Sequence, residues 1–208
     1  MLGPFSLAVI ALISTGIVDT IYLGNLKDPL RPDLGVWALA AIGLAFPLTF
    51  LGNSANIGLG AGTVSAISRA LGQDDAGKAK RHAASAIIFA LLVMSIIVTI
   101  LISSVSAILM LYEAEPEVTK MARQYLIISL PALVIVSVSM ICNNILRAGG
   151  EAVLPSSIMI LGAVINIVLE PFAIFGWGPF PRMEIQGAAL ATLTGNCLLY
   201  TSPSPRDS

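Results

Sequence analysis

Asp19, Asn166, Glu170 and Thr192 are the residues of this chain whose types and setting could do chemistry. Glu170 sits in Ile165-Asn-Ile-Val-Leu-Glu-Pro171, where no Asp, Glu, Lys or Arg occurs from Ala152 to Leu169 and none follows until Arg182. A helix through this region is long enough to cross a bilayer, which takes about 20 mainly apolar residues. An ionisable group there costs at least about 2.5 kcal/mol to insert, so such groups are usually rare, paired and functional. Asn166 lies four residues earlier, on the same helix face. Asp19 interrupts the first apolar run in the same way. Two carboxylates at one depth in a low-dielectric interior cannot both stay ionised cheaply. They are expected to hold a proton as a coupled pair, or to coordinate a cation such as sodium. Asn166 and Thr192 would add neutral oxygens, suited to hydrogen-bonding a carboxyl or ligating a hard cation. No cofactor beyond that proton or sodium is expected.

The rest of the composition says what must carry these residues. Charged residues make up 11% of the chain and hydrophobic residues 56%, against about 25% charged in ordinary soluble domains. Mean hydropathy is +0.90. Apolar runs far longer than a barrel strand, without strand-type alternation, point to an all-α membrane protein. A net charge of -1 gives no footprint for nucleic acid. Cys142 and Cys197 suggest neither a disulfide framework nor a zinc site, and the single His82 reads as a polar residue at a span entrance. No Ser/His, Cys/His or metal-ligand constellation is visible, so no enzyme is expected.

Six spans are predicted, at about 2–26, 36–68, 82–112, 121–146, 155–178 and 184–196, the last cut short. The amino terminus reads as a true span and not a signal peptide, because it has no basic leader and contains Asp19. Prolines in Lys27-Asp-Pro-Leu-Arg-Pro-Asp33 stop the first span. The second span holds Pro47 and a glycine-rich run. Its Gly58 and Gly62 form a small-xxx-small pair expected to admit a close backbone or to act as a hinge. Pro131 should kink the fourth span. The most polar connection, 69–81, holds Arg69, Lys78, Lys80 and Arg81, four of the eleven basic residues. Such a cluster marks the cytoplasmic side and places the amino terminus inside.

Counting from the outer ends, Asp19 is seven residues before Leu26, Glu170 eight before Gly178, and Thr192 eight after Glu184. At about 1.5 Å of rise per residue all three lie some 10 to 12 Å below the outer edge, in one layer.

Residues 197–208 break the apolar pattern. Cys197-Leu-Leu-Tyr-Thr-Ser-Pro-Ser-Pro-Arg-Asp207 resembles the translation of a transposase library adapter. The natural sequence is then expected to diverge near Asn196, and resequencing should replace the tail with a further apolar run.

Several stretches resemble the multidrug and toxic compound extrusion (MATE) family. They are Gly16-Ile-Val-Asp-Thr-Ile-Tyr-Leu-Gly24, Ala40-Ala-Ile-Gly-Leu-Ala-Phe-Pro47, Ser68-Arg-Ala-Leu-Gly-Gln-Asp-Asp75, Asn143-Asn-Ile-Leu-Arg-Ala-Gly149, Ile165-Asn-Ile-Val-Leu-Glu-Pro171 and Ile185-Gln-Gly-Ala-Ala-Leu-Ala-Thr192. The resemblance implies one six-helix lobe of a twelve-helix antiporter of the cytoplasmic membrane. Such a transporter exports small amphipathic or cationic compounds in exchange for protons or sodium, and here its carboxyl-terminal lobe would be missing. It also implies that the family's intramembrane polar positions fall on Asp19, Asn166, Glu170 and Thr192. The family more often has Asp where this chain has Glu170.

Other readings remain open from the sequence. Flipping of a lipid-linked precursor predicts a basic cavity, although the spans contain almost no Lys or Arg. A non-transporting membrane scaffold would make Asp19 and Glu170 incidental. The expected partners are membrane lipid, a small amphipathic substrate and the second lobe.

Overall fold

The computed structural model describes residues 3–151, 153–176 and 181–198. They form six helices: α1 Gly3–Gly24, α2 Leu34–Gly72, α3 Ala76–Leu111, α4 Pro116–Ala148, α5 Val153–Phe175 and α6 Ile185–Leu198. Four of them, α2 to α5, are long and apolar enough to cross a membrane. The start of the first span at Leu2, the end of the fifth at Gly178, and positions 199–208 of the adapter-like tail lie outside the described residues. Cys197 and Leu198, the first two residues of that tail, continue α6.

The segment 69–81 is not the extended connection expected from its polarity. Helix α2 runs on to Gly72 and α3 starts at Ala76, so only residues 73–75 turn. Ala, Lys and Arg are good helix formers, and no proline interrupts them. Asp74 takes a left-handed φ of 54°, and the Lys78 amide donates to Asp75 Oδ1 at 2.7 Å as an N-cap. The four basic residues therefore decorate helix ends, and His82 sits half-buried inside α3. Likewise α4 starts at Pro116, earlier than the 121 expected, because proline is favourable in a first helical turn.

The largest core lies among α2, α3 and α4. Met94, Val98, Leu101, Val105 and Leu109 recur every three or four residues along α3 and pack with Leu126, Leu130 and Leu133 of α4. The opposite stripe of α3, Ile88, Leu92, Ile96 and Ile100, is exposed, as are Ile10, Ile13, Ile17 and Ile21 of α1. In a bilayer such stripes face lipid or another bundle of helices, and packing rather than water exclusion holds the helices together.

Close helix approach runs through glycines, but not through Gly58 and Gly62. A methyl group added at either would meet nothing within 4 Å, so the pair does not seat a neighbouring backbone of this chain. The buried face of α2 runs instead through Gly52, Asn56, Gly60 and Thr63, two residues out of phase with that pair. A side chain at Gly52 would strike Leu133, and one at Gly60 would strike Asn144. On the other flank, a Cβ at Gly187 would run into the Ala173 carbonyl, and one at Gly195 would come within 3.2 Å of Asn166 Cβ. The α5–α6 hairpin thus closes backbone against backbone.

Candidate functional site

Helix α5 turns Asn166 and Glu170 inward together, as their i, i+4 spacing requires; they are 4% and 0% exposed. Because α6 offers glycine at 187 and 195, it lies close enough for Asn166 Nδ2 to donate to Thr192 Oγ1 at 3.3 Å. Thr192 in turn donates to the Ala188 carbonyl at 3.0 Å, which fixes its hydroxyl. Asp19 comes from α1, which packs on α5, and is half-buried. Its carboxyl is a close electrostatic neighbour of the Glu170 carboxyl. All four polar residues named from the sequence are therefore brought to one place.

The hydrogen-bond accounting is unusual. With both acids ionised, Asp19 Oδ1 and both Glu170 oxygens have no donor, and neither does Asn166 Oδ1. Two carboxylates can only accept, so a hydrogen bond between them exists only when a proton sits between them. Among the described residues, the other buried side-chain atoms without a partner are Asn56 Nδ2 and Ser129 Oγ. Unpartnered buried oxygen is thus concentrated at the site, where each such atom costs about 1–3 kcal/mol, and more if charged. A proton or a hard monovalent cation would relieve that cost at several oxygens at once. Glu170 and Asn166 are buried, while Thr192 stands at the surface of this lobe.

Tyr125 of α4 stands within electrostatic reach of both acids, a neighbour that sequence reasoning missed. Nothing in its local sequence, Arg123-Gln-Tyr-Leu-Ile127, distinguishes it from an ordinary core tyrosine. Gly195 was missed for a similar reason, although its spacing of eight from Gly187 puts both on one face of α6.

The hinge candidates lie elsewhere. Pro47 and Pro131 are both exposed, and α2 and α4 continue unbroken through them. Each proline removes one helix hydrogen bond, leaving the carbonyls of Gly43 and Ile127 without their usual donor. Gly58 and Gly62 face outward on α2.

Comparison with known proteins covers most of the chain. The MatE family model matches residues 4–172. Over 193 residues the chain is 35% identical to the FAD transporter of Shewanella oneidensis, a stretch that is 91% of this chain and 40% of that protein. It is 31% identical over 160 residues to the probable multidrug resistance protein YoeA of Bacillus subtilis, covering 77% of this chain and 35% of the relative. Among solved structures, a MATE protein in complex with MaD5 superposes with a TM-score of 0.82 at 30% identity, covering 95% of this chain and 42% of that one. The Vibrio cholerae MATE transporter VcmN in its bent form gives 0.82 at 26% identity, covering 94% and 42%. The chain therefore spans well under half the length of the relatives it matches.

Proposed function

The chain belongs to the MatE family, and from that premise we propose that the whole transporter exports small amphipathic or cationic compounds in exchange for a proton or sodium bound between Asp19 and Glu170. The family is one of multi-pass membrane transporters and not of enzymes, and it includes multidrug efflux proteins. The chain corresponds to one lobe of such a transporter. The observation that carries the ion reading is the set of four buried oxygens without donors, contributed by Asp19, Asn166 and Glu170.

Coupling requires that the ion and the substrate favour different arrangements of the lobes, because a ligand shifts an equilibrium only by its differential affinity for the two states. An empty acid pair repels itself and is stabilised by separation, whereas a filled pair draws α1 onto α5. That difference is what an outer-facing and an inner-facing state would exploit. Thr192 and Asn166 set the neutral side of the site. Glu170 carries one methylene more than aspartate, so its carboxyl reaches farther from α5 toward α1. The basic helix ends at Arg69, Lys78, Lys80 and Arg81 support a cytoplasmic amino terminus.

Replacing Glu170 with Gln in the full-length protein tests this reading. The expected outcome is a loss of ion-driven efflux from vesicles of about tenfold or more, since the pair can no longer exchange a charge. Undiminished gradient-driven transport in that variant would remove the site. The similarity to an FAD transporter favours a second substrate reading, a flavin dinucleotide. Competition between a cationic dye and FAD in the same vesicles separates the two.

A further inference from the structure

At the end of the bundle where α1 meets α2 and α5 meets α6, two loops far apart in sequence are tied by charge. The Arg31 guanidinium forks between two acids. Nε and Nη2 bond Asp28 Oδ2 at 3.2 and 2.9 Å, while Nη1 bonds Glu184 Oε2 at 3.2 Å and Nη2 bonds Glu184 Oε1. Arg182 closes the ring, with Nε 3.7 Å from Glu184 Oε1 and Nη2 donating to the Lys27 carbonyl at 3.0 Å. Arg31 is held above the ordinary arginine value, first by its bonds to Glu184 and then by those to Asp28. Glu184 adopts a left-handed φ of 51°, and its amide bonds the Ile174 carbonyl at 3.2 Å, so its carboxylate is presented by a fixed turn.

This ring adds a polar tie at the end of α1, which packs along α5 through its inner face. Of its described side chains only Leu23, near its last turn, is fully buried, while Ile10, Ile13, Ile17 and Ile21 are exposed. The Gly24 carbonyl rests on α2, 2.6 Å from where a Cβ on Gly35 would stand. Tyr22 meets Phe175 of α5 edge to face, with ring centroids 6.1 Å apart. Asp19 lies one turn farther in. Loop ring, aromatic pair and acid pair thus form three successive tiers between α1 and the α5–α6 hairpin.

We propose that Arg31 and Glu184 are positioning residues for the ion site: their pair holds the end of α1 on the α5–α6 turn and so keeps Asp19 facing Glu170. This rests on the reading of Asp19 and Glu170 as the coupling pair. The groups near that pair are Tyr125 from α4 and the uncharged Asn166 and Thr192 from α5 and α6. The only titratable residue of α2, Arg69, lies at its opposite end. Arg31 and Glu184 therefore act on the pair through the seating of α1 and not by direct contact.

Ion-driven transport by the full-length protein in vesicles, measured across a range of coupling-ion concentration, tests the proposal. Arg31→Ala and Glu184→Gln are each expected to raise the half-saturating ion concentration about fivefold, with the maximal rate changed less than about twofold, the scale of a part-exposed ion pair. The double variant should lose clearly less than the sum of the two single losses, since both break the Arg31–Glu184 pair and only Asp28 and Arg182 differ between them. Arg31→Lys keeps the charge without the fork; it should fall between wild type and Arg31→Ala, and it supplies the reading if Arg31→Ala fails to insert. An unchanged half-saturation in Arg31→Lys and Glu184→Gln, or losses that add in the double variant, overturns the proposal. Glu170→Gln run alongside separates the two ideas. Loss of coupling there with wild-type behaviour at Arg31 sinks only the clamp, while retained coupling there sinks the site itself.

Discussion

Where α2, α3 and α4 meet, side chains fill the space; where α5 and α6 meet beside α1, backbones do. The first region interlocks leucine, valine and methionine along helices of 33 to 39 residues. The second uses helices of 14 to 23 residues, seats α6 on α5 through Gly187 and Gly195, and buries a glutamate and an asparagine in the seam. A side-chain interface can yield by rotamer changes, whereas a backbone interface is fixed to within a few tenths of an ångström. Fixed geometry is what an ion site needs, because donors and acceptors must already be in place when the ion arrives. The contrast therefore assigns stability chiefly to one region and chemistry to the other.

The strongest way to break this contrast is a methyl group in the backbone seam. Gly187→Ala places Cβ 2.8 Å from the Ile174 nitrogen and closer still to the Ala173 carbonyl, neither of which can rotate away. We expect a loss of about 2–3 kcal/mol in thermal unfolding of the full-length protein, the usual scale of overpacking. Ion coupling should weaken with it, since Thr192 moves away from Asn166. Gly60→Ala is the matched change in the other region. Its Cβ strikes the Asn144 amide, the far end of a flexible side chain, and alanine regains helix propensity of about 0.8–1 kcal/mol. The net cost should stay below about 1 kcal/mol, with coupling intact. Equal losses at both positions would show that the two regions are packed alike.

How far the sequence reveals these two regions follows from which signal each one leaves. Intramembrane charge is loud: Asp19 and Glu170 stand out because nothing around them is charged, and helix period then puts Asn166 beside Glu170. Six helices of the all-α membrane class follow from apolar run length. Packing phase is quiet, because α2 has glycine or alanine on nearly every face between Gly52 and Gly62. The pair Gly58 and Gly62 satisfies the same spacing rule as Gly52, Asn56 and Gly60, and only the third dimension chooses between them. Polarity also misled at 69–81, where charge marked the end of the membrane and not the end of the helix. Arg31 and Glu184 could not be paired from the sequence, since 153 positions separate them and each looks like an ordinary loop charge.

The smallest effect in this comparison comes from Asp28, the member of the loop ring three residues from Arg31. Its carboxyl is held below the ordinary aspartate range, first by the Leu30 amide, which donates to Oδ1 at 2.9 Å, and then by Arg31. A group whose folded value is lowered stabilises the fold at pH above its unfolded value, about 3.9. That contribution is lost as the pH falls through the folded value. Asp28→Asn keeps an acceptor for Leu30 but removes the charge that faces Arg31. Amide exchange at Leu30 and Arg31 should therefore quicken by no more than about twofold at neutral pH, as expected of a local, part-exposed ion pair. The ratio of variant to wild type should return to one in acid, where the wild-type carboxyl is itself neutral. A ratio that stays constant with pH would mean that Asp28 acts through loop shape alone, leaving Glu184 as the sole acid that anchors Arg31 and sharpening its place as the link between the backbone-packed region and its ion site.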